Sequence, residues 1–89
     1  MRITIRYLAQ LKQAAGVATE VVTSEERSPR GLLMSLLDRH GDALRRLLLD
    51  ANGQLSATIL VFVNDRQVEP GTQLNDGDVV TLLSPIAGG

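Results

Sequence analysis

The strongest constraint on the fold is a set of leucines at helical spacing that stands between strand-like segments. Four of them define one apolar helix face: Leu32, Leu33, Leu36 and Leu37. Ser28 is suited to cap the helix N-terminus and Pro29 to occupy its first turn. The segment is predicted to end at His40, with Gly41 in a left-handed conformation after it. One main helix of about three turns is therefore predicted in the middle of the chain.

Strand-like segments flank this helix on both sides. Residues 2–8 alternate apolar and polar side chains, and residues 19–23 form a weaker strand, so the two are predicted to pair as a hairpin. Residues 57–63 are apolar almost throughout, which predicts a strand buried on both faces. Two further strands are predicted at 67–68 and 79–83, each preceded by turn-forming residues.

Short helical segments fill two of the connections. Residues 8–15 suit a short helical turn that Gly16 can end. A second short helix is predicted after Gly41, with Asp42 as its cap. Its inner face carries three leucines: Leu44, Leu47 and Leu48.

These elements predict an α+β fold, with a mixed sheet of four to five strands and the main helix packed on one face. The first and last strands are expected to be neighbours in the middle of the sheet. Pro85 cannot donate to a strand ladder, so regular pairing should stop there. The expected organisation is one domain over residues 1–84, followed by a flexible tail at 85–89.

Composition excludes several classes of function. The chain has no Cys, which rules out disulfides, thiolate metal sites and cysteine nucleophiles. Its net charge is −1 and its nine Lys and Arg are scattered, so no nucleic-acid partner is expected. No apolar run approaches membrane-spanning length, and residues 1–6 do not resemble a signal peptide. A cytoplasmic protein without a membrane partner is expected.

The domain offers few groups for chemistry of its own. His40 is the one histidine, and at a helix end it is interpreted as a solvated side chain rather than a base or metal ligand. Asp76-Gly77-Asp78 resembles the start of a calcium loop but lacks the remaining ligands, so a turn is predicted there. No metal site is predicted.

The Gly88-Gly89 pair has two interpretations. It can be the frayed end that most domains have. Alternatively, residues without side chains can lie extended in a narrow enzyme channel, which brings a terminal carboxylate to a site that excludes water. The pair alone does not decide between these interpretations.

Four segments occur in an order that resembles a known family. They are Tyr7-Leu8-Ala9-Gln10-Leu11-Lys12 with Gly16, Val63-Asn64-Asp65, Leu74-Asn75-Asp76-Gly77-Asp78-Val79-Val80, and Pro85-Ile86-Ala87-Gly88-Gly89. Together they are similar to the MoaD/ThiS family of β-grasp, ubiquitin-like sulfur carriers, over essentially the whole chain. Within that family the MoaD type, the small subunit of molybdopterin synthase, fits best.

The resemblance implies a role for each part of the tail. Gly89 would carry the carboxylate that is adenylated and then converted to a thiocarboxylate. Gly88, Ala87, Ile86 and Pro85 would bind within the partner. Leu8 and Leu83 would belong to an apolar docking surface.

The resemblance also implies partners. These are a ubiquitin-activating-like adenylyltransferase of the MoeB/ThiF type, which uses ATP and Mg²⁺, and a MoaE-like large subunit. No cofactor would be bound permanently, and the chain would have no active site of its own. It would act as the sulfur-donating subunit of a two-subunit sulfurtransferase.

The sequence departs from the family pattern at three positions. Leu8 and Leu83 stand where members often have aromatic residues, and Ser84 stands where they often have proline. The destination of the sulfur therefore stays open between molybdopterin synthesis and cysteine, thiamine or tRNA thiolation pathways. Two different functions are also compatible with the sequence: a ubiquitin-like protein modifier and a plain interaction module.

Overall fold

The computed structural model describes residues 1–85, and these contain five strands and three helices. The strands are β1 (Arg2–Tyr7), β2 (Thr19–Thr23), β3 (Leu60–Val63), β4 (Arg66–Val68) and β5 (Val79–Leu83). The helices are α1 (Gln10–Ala15), α2 (Pro29–His40) and α3 (Asp42–Leu48). No helix in the described part of the chain is both long and apolar enough to span a membrane. The predicted partner-binding residues Ile86, Ala87 and Gly88 and the predicted reacting residue Gly89 lie outside the described residues.

The strands form one mixed sheet in the order β2-β1-β5-β3-β4. The two central strands, β1 and β5, run parallel, with Tyr7 opposite Leu82. The other neighbouring pairs are antiparallel. The predicted fold is confirmed, including the adjacency of the first and last strands. This is the β-grasp arrangement, in which a sheet curves around one main helix.

One face of the sheet packs against the helices and forms the core. Alternation along the strands points Ile3, Ile5 and Tyr7 of β1 inward, together with Val80 and Leu82 of β5. The predicted leucine face of α2 is confirmed, because all four of its leucines are at most 3% exposed. Burial of this apolar surface is the main contribution to the stability of the fold.

The start of α2 is formed as predicted. Ser28 caps the helix, and its hydroxyl accepts a hydrogen bond from the Gly31 amide at 3.2 Å. Pro29 occupies the first helical turn. Because the capping oxygen satisfies one of the free amides at a helix start, the cap stabilises this end of α2.

The junction between α2 and α3 differs from the prediction. Gly41 has φ 77° and ψ −162°, which lies outside the left-handed helical region and is accessible mainly to glycine. Gly41 is also the residue that caps α3, whereas Asp42 is the first residue of the helix and makes no capping hydrogen bond. The sharp turn needed between two consecutive helices explains why glycine takes this position.

Strand β3 is also shorter and more exposed than predicted. It begins at Leu60 rather than at residue 57; Val61 is buried in the core, and Val63 is half-buried on the same side. Leu60 and Phe62 are half-buried on the opposite face. The prediction of a strand buried on both faces was wrong, because helices cover one face of the sheet alone among residues 1–85.

A two-residue turn joins β3 to β4 and holds Asn64 and Asp65 at φ 52° and 68°. Such positive angles define a type I′ turn, whose second position favours glycine. We expect Asp65→Gly to raise the free energy of unfolding by about 0.5 kcal/mol, since removing Cβ relieves strain at some cost in chain entropy. Urea denaturation measures this change.

Asp65→Ala is the matched control for this turn. It removes the same carboxylate but keeps Cβ, so it should give no gain in stability. The exposed contact between Arg6 and Asp65, at 3.9 Å, is lost in both variants and contributes little. An equal stabilisation by alanine would contradict the strain argument.

Candidate functional site

The chain leaves the sheet at the end of β5, and this exit is held by a side chain from α1. Ser84 is 7% exposed, and Gln10 Nε2 donates to its hydroxyl at 3.2 Å and lies 3.5 Å from its carbonyl oxygen. Pro85, the next residue, is exposed. The hydrogen bonds from Gln10 therefore fix the position from which residues 86–89 begin.

The backbone just before α1 is strained. Ala9 has φ 51° and ψ −125°, a conformation that normally requires glycine, and the Leu11 amide donates to the Leu8 carbonyl across this turn at 3.1 Å. A non-glycine residue in such a conformation costs on the order of 1–3 kcal/mol. The strained turn sets the start of α1, and hence the position of Gln10.

The structure brings Leu8 and Leu83 to the same end of the sheet. The Leu8 amide donates to the Leu82 carbonyl at 3.2 Å, which continues the register of β1 beside β5. Leu60 lies opposite Leu83 on the other side of β5. All three leucines are half-buried. They form an apolar row on the sheet face away from the helices, next to the point where the chain leaves β5.

We call that whole face the open face. It contains the outward residues of all five strands, and within residues 1–85 no helix packs on it. Phe62 is half-buried there and extends the apolar area beyond the row of leucines. An apolar patch on a sheet face without a covering layer is typical of a protein–protein interface.

A polar cluster of Tyr7, Glu20 and His40 lies on the helix side of the sheet, and the sequence did not predict it. Glu20 of β2 accepts a hydrogen bond from the Tyr7 hydroxyl at 2.9 Å. The oxygen of Glu20 that accepts this bond, Oε2, also lies 2.5 Å from His40 Nε2. The rings of Tyr7 and His40 contact each other edge to face. His40 is thus half-buried against two partners, and its interpretation as a solvated side chain was wrong.

The sequence contained only a faint signal for this cluster. Glu20 stands at an inward position of a strand, where a carboxylate requires a partner. That partner is on α2, twenty residues away. The three groups satisfy one another and connect β1, β2 and α2. The cluster therefore stabilises the fold.

Burial and the nearby Glu20 carboxylate raise the pKa of Tyr7 well above its ordinary value of 10.0. In the unfolded chain Tyr7 loses its proton first, so the unfolded state gains stability as the pH rises above 10.0. We therefore expect the free energy of unfolding to be unaffected by this group below that pH and to fall above it. Denaturation at increasing pH should show a smaller alkaline loss for Tyr7→Phe, and equal losses would contradict this assignment.

Asp76-Gly77-Asp78 forms a turn, as predicted. Asp76 accepts a hydrogen bond from the Arg2 amide at 2.7 Å, and Asp78 accepts from the Asn75 amide at 2.8 Å and from the Asn64 side chain at 3.0 Å. Gly77 has φ 88°. Within the described residues no three His, Cys, Asp or Glu side chains are grouped as metal ligands.

The sequence model of the ThiS family matches residues 5–89, which is nearly the whole chain and includes the terminal glycines. The chain belongs to the ThiS family. It is a small sulfur-carrier or ubiquitin-like protein of the ThiS/MoaD type. A comparison with curated protein sequences gives no match.

Three solved structures show the range of proteins that this ThiS-family chain is similar to. SAMP1 from Haloferax volcanii is 27% identical, with a TM-score of 0.85 over 100% of both chains. A putative molybdopterin converting factor subunit 1 from Pyrococcus furiosus is 27% identical, with a TM-score of 0.73 over 97% of this chain and 99% of that one. CysO in the BexX/CysO complex of Amycolatopsis orientalis is 25% identical, with a TM-score of 0.70 over 98% and 99%.

Proposed function

We propose that this ThiS-family protein carries sulfur as a thiocarboxylate on Gly89, and that it serves as the small subunit of molybdopterin synthase. The observation that carries the proposal is the match of the family sequence model through Gly88 and Gly89. The described part of the domain supports it, because the polar groups of Tyr7, Glu20 and His40 satisfy one another and the apolar row on the open face offers a surface for a partner.

The chemistry would take place at the carboxyl carbon of Gly89, in the active site of a partner enzyme. A carboxylate oxygen attacks the α-phosphorus of ATP, with Mg²⁺ on the phosphates, and pyrophosphate leaves. A hydrosulfide-equivalent donor then attacks the carbonyl carbon of the adenylate. The C–O bond to AMP breaks as the C–S bond forms, which leaves the thiocarboxylate. A ubiquitin-activating-type enzyme of the MoeB/ThiF type supplies the ATP site.

The open face is the docking surface in this proposal. Leu8, Leu60 and Leu83 lie at the end of the sheet where the chain exits, so a partner bound there is next to the tail. The hydrogen bonds from Gln10 to Ser84 hold the exit point. A tail that starts from a fixed point loses less conformational freedom when its last residues enter a channel.

Molybdopterin synthesis is the proposed pathway because the motif order around Leu8 and Pro85 resembles the MoaD type. The likeness to a molybdopterin converting factor subunit agrees with it. In this role a MoaE-like large subunit binds the charged chain and supplies the catalytic residues.

A protein modifier is the second candidate function. The likeness to SAMP1 spans 100% of both chains, and a second structure from Haloferax volcanii, 26% identical, is called small archaeal modifier protein 1. A modifier would use the same adenylate but would transfer Gly89 to a lysine amine. An isopeptide bond would then form in place of the thiocarboxylate.

Mass spectrometry tests the proposed function. The purified chain is incubated with a ubiquitin-activating-type adenylyltransferase, ATP, Mg²⁺ and sulfide. The expected result is the mass increase that replacement of one oxygen by sulfur requires, located in the C-terminal peptide. An unchanged C-terminal peptide under conditions that load a known carrier would overturn the proposal.

A companion experiment separates the two candidates. The thiocarboxylate form is mixed with a MoaE-like subunit and a pterin precursor, and regeneration of the free carboxylate is followed. Return of the carboxylate with sulfur in the pterin product supports molybdopterin synthesis. Conjugates of the chain with lysines of other proteins support the modifier.

A further inference from the structure

The open face carries positive charge and no negative charge at its strand positions. Its outward residues are Arg2, Thr4, Arg6, Thr19, Val21, Thr23, Leu60, Phe62, Gln67, Val79, Thr81 and Leu83. The two arginines are the charged members of this set, although the whole chain has a net charge of −1. The strand positions of this face therefore carry a net positive charge, which the chain as a whole does not.

Arg6 lies at the middle of the face. The strand register places Phe62, Thr81, Arg6 and Thr19 side by side across four strands. The Arg6 side chain is 47% exposed, and its contact with Asp65 is 3.9 Å long to a carboxylate that is 89% exposed. Since an exposed pair of this kind holds its partners weakly, the guanidinium is available to a carboxylate from another molecule.

Thr81 adds an independent observation at the same place. It is 7% exposed although it lies on the open face, where its cross-strand neighbours are Arg6 and Phe62, two residues with long side chains. Its Oγ1 is buried and has no hydrogen-bond partner within residues 1–85. Buried polar groups are nearly always paired in native structures, so an unpaired hydroxyl beside an interface needs an explanation.

We propose that the protein which docks on the open face presents a carboxylate to Arg6. On docking, the guanidinium leaves Asp65 and donates to this carboxylate, and the shift of the side chain uncovers Thr81. The Thr81 hydroxyl then donates to the same acidic group. The partner surface is thus apolar opposite Leu8, Leu60 and Leu83 and acidic opposite Arg6.

This inference rests on the proposed function only for the choice of partner, which is the activating enzyme. Charge complementarity supports it, because apolar contacts supply area while a charged pair fixes the register of docking. In this arrangement the contact of Arg6 with Asp65 in the free chain is weak enough for the partner's carboxylate to replace it.

Charge reversal at Arg6 is the main test. Rates of ATP–pyrophosphate exchange by the activating enzyme are measured at several concentrations of the chain. We expect Arg6→Glu to raise KM at least about tenfold with little change in kcat, since it places like charges together. The effect should shrink when the ionic strength is raised from about 0.05 M to about 0.5 M.

Arg66→Glu is the matched control. Arg66 is exposed, and its pairing with Val63 places it on the other face of the sheet. The substitution changes the net charge by the same amount as Arg6→Glu. Its KM should stay within about twofold of the parent chain. Equal effects of the two reversals would show that net charge rather than docking is responsible, and would overturn the inference.

The Thr81→Val variant distinguishes an effect on docking, measured as KM, from an effect on stability, measured as the melting temperature. Valine has nearly the same shape without the hydroxyl, so loss of an unpaired buried polar group should raise the melting temperature. If Thr81 bonds to the partner, the same variant should also raise KM. A higher melting temperature with unchanged KM would overturn the role of Thr81.

The outcomes distinguish this inference from the proposed function. Absence of exchange with the parent chain would overturn both. Normal exchange by the parent and by Arg6→Glu, with the same KM at low salt, would overturn the acidic partner surface and leave the sulfur-carrier function intact.

Discussion

Deletion of Gly88 and Gly89 is expected to abolish formation of a C-terminal thiocarboxylate. The proposed chemistry occurs at the Gly89 carboxyl carbon, and a chain that ends at Ala87 has a shorter reach and a side chain on its last residue. That Cβ prevents the close approach of enzyme backbone that glycine permits. Mass spectrometry after incubation with the activating enzyme, ATP, Mg²⁺ and sulfide measures the loss.

The truncated chain should fold as well as the full chain. Residues 1–85 include the five strands β1 to β5 and the core cluster, so the free energy of unfolding should change by less than about 0.5 kcal/mol. A second variant extended by one alanine after Gly89 keeps both glycines but moves the carboxylate, and it should also fail to react. A thiocarboxylate on either variant would contradict the assignment of Gly89 as the reacting residue.

Tyr7→Ala is expected to be the most damaging single substitution in the core. Tyr7 is 1% exposed on a central strand, and its hydroxyl bonds to Glu20. Truncation leaves a cavity in the core and removes the hydrogen-bond donor to a half-buried carboxylate. We expect a loss of about 3–5 kcal/mol in the free energy of unfolding, a large share of what a domain of this size possesses.

Two comparison variants help to interpret that loss: one isolates the hydroxyl of Tyr7, and the other is a reference truncation at an exposed position. Tyr7→Phe keeps the ring and removes the hydroxyl, so it should cost about 1 kcal/mol. Val21→Ala shortens a side chain that is 50% exposed on the open face, and its cost should stay below about 1 kcal/mol. Urea denaturation compares the three. If Tyr7→Phe cost as much as Tyr7→Ala, the hydrogen bond rather than packing would dominate at this position.

The order and type of the elements were predictable because they depend on neighbouring residues. The leucine spacing and the Ser28-Pro29 start predicted α2, and alternation predicted β1. Gly16 ends α1 in the left-handed conformation, as predicted, with φ 80°. These features need only the backbone geometry of one segment, so they can be inferred without knowing where other segments lie.

The candidate site was only partly predictable. The sequence indicated Gly88 and Gly89 as candidates, and the resemblance added Pro85, Leu8 and Leu83; these assignments stay predictions. The hydrogen bonds between Gln10 and Ser84 were missed, because they join residues 74 positions apart. The strain at Ala9 was missed as well, since alanine gives no local signal for a positive φ.

By itself the sequence determined the helix of leucines, the strands around it and the absence of cysteine chemistry, and the family resemblance predicted the reactive tail. Tertiary structure alone decided which sheet face stays open, that β3 is half-exposed, and that Glu20 joins Tyr7 to His40. It also placed Arg6 beside Thr81. The physical reason is that periodicity reports which side chains are apolar, whereas burial and partnership depend on the strand register that brings distant residues together.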